Sequence, residues 1–542
     1  MTDIALEPTA EPHSSGRPHL DHSTGLGTLV LFFGALAAGA LYVAYSLYAD
    51  IVATGASPST YLPYILLGVA LLIALGFEFV NGFHDTANAV ATVIYTHSLP
   101  ANVAVVWSGL CNLTGVALSS GAVAFGIVSL LPVELILQVG SDAGFAMVFA
   151  LLIAAIIWNL GTWYLGLPAS SSHTMIGSII GVGVANALQH GRDGTSGVDW
   201  GKATEIGYAL LASPVFGFAL AALLFYLLFA GVNMFVKGSP LFAEPKPGKT
   251  PPWWIRGILI FTCTGVSFFH GSNDGQKGMG LIMLILIGTV PTAYALNRAM
   301  PDSEMRTYQQ ASSAAVVALE VFKKADAPAN FRADVTEYVR TKNLTDTTVA
   351  SMQKLALAIS DQVAQYGTFA KVPSASVSNV RNDMYLASEA SKFLLKSHAA
   401  GMDPTSEGKI KALQSVFDGS TKFIPFWVKI AVAIALGLGT MVGWKRIVVT
   451  VGEKIGKTHL TYAQGASAEI VAMACIGAAD GLGLPVSTTH VLSSGIAGTM
   501  FANKSGLQLS TLFNIALAWV LTLPVAMLLS GTLFFVFSYL FH

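Results

Sequence analysis

The sequence predicts an all-α integral membrane protein with 10 to 12 transmembrane segments, built from two copies of one unit with a soluble stretch inside the second. Three observations carry that reading. Of 542 residues, 53% are hydrophobic and 11% charged, whereas soluble domains carry about 25% charged residues. Mean hydropathy is +0.62. Apolar runs long enough to cross a bilayer recur along the chain, and two motif pairs repeat. The 29 basic and 30 acidic residues nearly cancel, which removes the usual electrostatic argument for a nucleic-acid partner. Cys111, Cys263 and Cys475 stand in apolar segments without paired spacing, so neither a disulfide framework nor a zinc site is expected.

Taken in order, residues 1–23 are polar, contain three His, and lack the basic start and short apolar core of a cleavable signal. A disordered tail is expected there. A hydrocarbon core of about 30 Å needs about 20 apolar residues per helix. Candidate spans begin near residues 26, 62, 101, 144, 206, 254, 278, 424, 461 and 511. Shorter Gly-rich stretches follow Pro168 and Pro485 and read as re-entrant or broken helices, which survive at membrane depth only when buried in protein or lining a cavity. Lys237, Lys246, Lys249 and Arg256 crowd one short loop, and Lys445, Arg446, Lys454 and Lys457 another. Both are expected on the cytoplasmic side. Between Arg298 and Lys422 lie 28 of the 59 charged residues. With Val316, Leu319, Val321 and Phe322 at helical spacing, 298–422 reads as a soluble helical insertion between membrane regions 24–297 and 423–542.

The repeats set the architecture. Residues 166–173 read GLPASSSH and residues 483–490 read GLPVSTTH; NGFHDTANA from Asn81 pairs with HGSNDGQKG from His270. Asp85 to His173 spans 88 residues and Asp274 to His490 spans 216, a difference of 128 that the 125-residue insertion nearly accounts for. Duplicated membrane bodies with broken helices are the plan of secondary transporters, whose substrate sits near the midplane between repeats.

Pro followed by hydroxyl residues is a natural helix start. Ser170, Ser171, Ser172 and Thr174, with Ser487, Thr488 and Thr489, would place hydroxyls beside two positive helix ends, an anion site without fixed charge. The plainer reading is close helix packing, as for Gly177, Gly181 and Gly495; two identically framed copies favour the site. Asp85 and Asp274 are carboxylates inside membrane segments, hence functional candidates. Two carboxylates around an anion require something positive between them: protons, Na⁺, or a divalent cation arriving with the anion. Asn88 aligns with Lys277, and an ammonium there opposes a metal ion and favours H⁺ as coupling ion. His84, His270, His173 and His490 add groups that titrate near neutrality. Asn88 and Asn273 join the expected phosphate-binding set. Glu78, Glu469 and Asp480 stay outside it.

These motifs closely resemble those of the Pit family of inorganic phosphate transporters, its bacterial low-affinity branch in particular. The family pattern is Gly-x-Asn-Asp and Gly-Leu-Pro-x-Ser-(Ser/Thr)-(Ser/Thr)-His in each half. Gly271-Ser272-Asn273-Asp274 fits, while His84 replaces Asn in the first copy. The resemblance covers residues 62 to 538. It implies inverted repeats, a bacterial inner-membrane location, and symport of phosphate with H⁺ as a neutral divalent metal–hydrogen phosphate, so that Asp85 and Asp274 meet the metal, such as Mg²⁺, carried with the substrate. No cofactor and no nucleic acid are expected; a homodimer is left open. Na⁺-coupled phosphate symport and proton-coupled sulfate transport are the alternatives. An intramembrane Ser–His hydrolase built on Ser170 and His173 fails, because the motif occurs twice and lacks the Gly-x-Ser-x-Gly turn. The chain is therefore not expected to be an enzyme.

Overall fold

Within hydrocarbon every backbone N–H and C=O must find a partner inside its own segment, so the apolar runs become helices. A computed structural model describes residues 18, 20, 25–55, 62–85, 87–131, 136, 142–246, 248–398 and 401–541. The expected N-terminal tail lies outside the described residues apart from positions 18 and 20. The first half comprises α1 (Leu26–Ala53), α2 (Leu62–Asp85), α3 (Ala87–Tyr95), α4 (Ala101–Leu118), α5 (Ala122–Val128), α6 (Asp142–Tyr164), α7 (Ser171–Gln189) and α8 (Trp200–Phe235). The second begins with α9 (Trp253–Thr289). The insertion folds as α10 (Asp302–Val321), α11 (Phe331–Thr341), α12 (Thr348–Tyr366), α13 (Ser374–Ser397) and α14 (Pro404–Thr421). Then follow α15 (Phe426–Thr440), α16 (Lys445–Glu453), α17 (Tyr462–Gly481), α18 (Thr488–Ala502) and α19 (Leu509–Phe541).

Among the described residues, six helices are long and apolar enough to cross a membrane unaided: 26–53, 62–95, 101–118, 144–164, 200–235 and 509–540. The other membrane segments, α7, α9, α15, α17 and α18, are shorter, carry charge, or are diluted by Ser, Gly and Asn. One expectation changes. The spans expected near 254 and 278 are a single 37-residue helix, α9. Its glycines serve close packing: a Cβ on Gly271 would sit 2.2 Å from the Asn112 carbonyl oxygen, and one on Gly275 2.6 Å from a Val116 methyl.

The halves interlock. Helix α4 packs on α9, and its counterpart α15 on α2; α7 packs on α19, and α18 on α8; α6 packs on α19, and α17 on α8. Each contact is thus repeated with the halves exchanged. Polar ties mark the two ends of the bundle. At one, Arg256 Nε donates to Ser98 O (2.8 Å), Tyr95 OH to Glu453 Oε1 (2.6 Å), and Gln508 Nε2 to Gly456 O (2.6 Å), so both basic loops share that end. At the other, Asp50 Oδ2 accepts from Tyr294 OH (2.7 Å) and Trp427 Nε1 (3.0 Å), and Lys342 pairs with Asp199 (2.6 Å). Helix α8 runs from the second end to the first, and α9 returns to the insertion.

The two Gly-Leu-Pro turns lie at opposite ends. The first is held by Arg446 Nη1 donating to Tyr164 O (2.6 Å) and Thr450 Oγ1 to Gly166 O (2.8 Å), at the basic end. The second sits against α5, with Gly126 and Ala122 beside Gly483. Both turns need the left-handed region that glycine enters freely, at φ +66° for Gly166 and +67° for Gly483. Helices α7 and α18 therefore enter from opposite ends, and their N-termini meet mid-bundle, where the His173 and His490 rings lie 4.5 Å apart.

The insertion has its own apolar interior, including Leu319, Leu355, Ile359, Met384 and Phe417, continuous with the membrane core. Leu319 is buried as its spacing suggested, whereas Val321 is 75% exposed.

Candidate functional site

Each Pro-x-hydroxyl segment performs a sequence of distinct tasks. The first hydroxyl caps its helix: Ser170 Oγ accepts from His173 N and Ser487 Oγ from His490 N, both at 3.2 Å. Of the second hydroxyls, Ser171 and Thr488, the first faces the junction. Ser171 Oγ donates at 2.5 Å to Asp85 Oδ2 and lies 3.3 Å from Asp274 Oδ2. Thr488 Oγ1 is buried with no hydrogen-bond partner among the described residues. The third hydroxyls cross between halves. Ser172 Oγ donates to Val486 O (2.9 Å), while Thr489 Oγ1 donates to Asp85 Oδ1 (2.9 Å).

The carboxylates come from α2 and α9 and are nearly inaccessible. Asp85 is flanked by His84 Nδ1 at 2.9 Å, whose Nε2 meets Thr162 Oγ1 at 3.1 Å. Asp274 Oδ1 is 2.7 Å from Lys277 Nζ, and its Oδ2 is 3.6 Å from His270 Nε2. The other His270 nitrogen lies 2.9 Å from Asn112 Oδ1. Lys277 also donates to Ser172 Oγ. Asp85, His270 and Asp274 offer donor atoms all within 4.8 Å of one another, a spacing that can hold a cation. The sequence argument asked for something positive between the carboxylates. The chain offers part of it in Lys277: with both carboxylates ionised and the ammonium charged, the three groups sum to one net negative charge.

Several expected residues stand elsewhere. Thr174 Oγ1 donates to Asn159 Oδ1 (3.0 Å) and Ser170 O (2.9 Å), turned away from the carboxylates. Asn273 braces the second turn, its Nδ2 donating to Leu484 O (3.0 Å) and its Oδ1 accepting from Val486 N (3.3 Å). His173 and His490 stack on each other, and His490 lies 4.0 Å from the Trp519 ring. The Asn88 side chain lies outside the described residues.

The supporting shell was not legible in any local pattern. Thr162 and Asn112 set the two histidines, yet each reads as an ordinary polar residue in an apolar run. Glu469, fully buried, accepts from Thr92 and Thr262. Asp480 accepts from Ser272 Oγ (2.7 Å) and Gln276 Nε2 (2.8 Å), and Gln276 Oε1 accepts from Val123 N (2.9 Å), which ties α17, α9 and α5 together. Glu78 is fully buried against Gly278.

Comparison with known proteins gives a consistent assignment. A profile described as the phosphate transporter family matches residues 81–530. The low-affinity inorganic phosphate transporter PitA of Escherichia coli (strain K12) is 42% identical over 498 residues, covering 87% of this chain and 96% of that protein. PitB of the same organism is 40% identical over 502 residues, covering 87% and 96%. A probable low-affinity inorganic phosphate transporter of Bacillus subtilis (strain 168) is 28% identical, covering 88% and 99%. Among solved structures, a sodium-dependent phosphate transporter aligns with 87% of this chain and 98% of its own, at 20% identity and a TM-score of 0.48; a likeness at that level carries no argument.

Proposed function

The chain belongs to the phosphate transporter family, and from that premise we propose that it is a low-affinity inorganic phosphate transporter of the bacterial plasma membrane. It works by symport with H⁺, carrying a neutral divalent metal–hydrogen phosphate. The observation that carries this reading is the junction itself: Asp85 and Asp274, one from each half, approach a single hydroxyl, Ser171 Oγ, at 2.5 and 3.3 Å, where two helix N-termini meet.

The division of labour follows from charge. A divalent ion is met by Asp85, Asp274 and His270, and phosphate oxygens by Ser171, Thr488, Thr489 and the N-terminal ends of α7 and α18. A neutral metal–hydrogen phosphate leaves the site's charge unchanged, so the one net negative charge left by Lys277 is available to a single H⁺. The same ammonium, 2.7 Å from Asp274, opposes a bare Na⁺ at that half-site, whereas a divalent ion arrives with its charge balanced by hydrogen phosphate. Counterpart helices run in opposite directions between the two ends of the bundle, which supports an inverted repeat and alternating access about the junction.

The test is uptake of labelled phosphate into proteoliposomes. Uptake is expected when the outside is acidic, without Na⁺, and faster with Mg²⁺. Asp85→Asn should abolish it while leaving the protein folded. Uptake that requires Na⁺ and ignores the pH gradient would overturn the coupling assignment, and equal inhibition and transport of sulfate would overturn the phosphate assignment.

A further inference from the structure

Away from the junction, the insertion meets the membrane body across a cavity lined by Arg381, Tyr385, Glu389 and Lys422 on the insertion side and by Ser129 and Met283 on the membrane side. Arg381 is only 5% exposed. One of its nitrogens, Nη1, donates to Ile136 O (3.4 Å) and Asn382 Oδ1 (3.2 Å), and its guanidinium lies over the Tyr385 ring at 5.0 Å. Its Nε has no hydrogen-bond partner among the described residues. Nor does any carboxylate among the described residues pair with it.

The neighbouring cations differ. Lys422 is bound to Glu389 (3.0 Å) and Asp418 (2.7 Å), Lys392 to Glu389 (3.2 Å), and Arg332 to Asp383 (2.8 Å). Among the described residues, Arg381 is therefore a buried positive charge with no carboxylate beside it at this interface. Burial brings its pKa down to about 10, so it stays charged at neutral pH. A buried charge without a counter-ion is strongly unfavourable, and a guanidinium fork matches an oxyanion through two parallel hydrogen bonds. The lining also selects among oxyanions. Glu389, whose two oxygens already pair with Lys422 and Lys392, keeps lone pairs that accept a hydrogen bond from a P–OH group, which sulfate lacks.

We propose that this cavity is a second oxyanion site, which takes dihydrogen phosphate on Arg381 with a P–OH group turned to Glu389. It lies on the insertion face, against the part of α9 one turn beyond Lys277, since Gly280 also lines it. It shares no residue with the junction, so it can fail while the transport reading stands, and the reverse.

The experiment is saturation binding of labelled inorganic phosphate to the full chain in nanodiscs at mildly acidic pH. Arg381→Gln is expected to lower the saturating stoichiometry by one per chain relative to the unaltered protein. Ser129→Phe, which fills the cavity and leaves Arg381 in place, should do the same and guards against a folding defect of the first variant. Asp274→Asn should leave this component intact. A tenfold excess of sulfate or chloride should not displace it. Unchanged stoichiometry in both Arg381→Gln and Ser129→Phe would overturn the site, and displacement by sulfate or chloride would overturn the assignment to a protonated phosphate.

Discussion

Replacing Lys277 by Met removes the ammonium 2.7 Å from Asp274 Oδ1, in a pair whose side chains are 0% and 1% exposed. At an effective dielectric of about 20, unit charges at that separation attract by about 6 kcal/mol. Desolvation offsets part of this, and breaking a buried pair from one side costs about 3–5 kcal/mol. A hydrogen bond between membrane-embedded side chains is worth about 0.6 kcal/mol on average and reaches about 1.7. The two ranges do not overlap, so a double-mutant cycle decides whether the pair is ionised. Lys277→Met, Asp274→Asn and the double variant would be unfolded by titration with SDS in mixed micelles. Lys277→Met alone should cost about 3–5 kcal/mol, and the double variant much less than the sum of the singles. Lys277 also donates to Ser172 Oγ, but that loss is shared by the single and the double and cancels in the cycle. A coupling energy below about 1.7 kcal/mol would refute the charged pair, and with it the charge count that assigns one proton to the junction.

Three further outcomes are expected. Ser171→Ala removes the hydroxyl between the carboxylates and should cost about 1.5–3 kcal/mol, the range for hydrogen bonds to charged groups, with initial uptake reduced at least tenfold in the same proteoliposomes by an order-of-magnitude conversion of that loss; wild-type rates would remove Ser171 from the site. Gly115→Ala would place a Cβ 2.0 Å from Phe268 O at the α4–α9 crossing, whereas Gly34→Ala on α1 meets nothing within 4 Å; the first should destabilise by about 1–3 kcal/mol and the second leave thermal unfolding unchanged. Because α9 connects the basic loop to the insertion as one helix, cysteines at the exposed positions Asn343 and Lys454 should be labelled from opposite faces. With basic loops cytoplasmic, a membrane-impermeant maleimide on intact cells should reach Asn343→Cys alone, and labelling of both would contradict this orientation.

Periodicity, composition and repetition were enough to read an all-helical membrane body, and they singled out 298–422 as an insertion and Asp85, Asp274, Ser171 and Thr489 as candidate site residues. Those signals are local: a bilayer demands a helix wherever about 20 apolar residues run together, and a duplicated carboxylate between such runs stands out by its rarity. Where the reading diverged, long-range packing decided. Two spans were expected near 254 and 278, and only the approach of α4 shows that the glycines around Asp274 allow two backbones to close on each other while α9 continues. Thr174 and Asn273 carried the right chemistry in the right motif, yet one turns to Asn159 and the other braces Leu484 and Val486. Likewise, nothing in the spacing of Asp85 and Asp274, 189 positions apart, says that one serine lies between them. By itself, then, the sequence determined which residue types lie in the membrane and that they occur twice. The tertiary structure alone decided which face which, because direction and contact depend on how the two halves interlock, and no single segment encodes that.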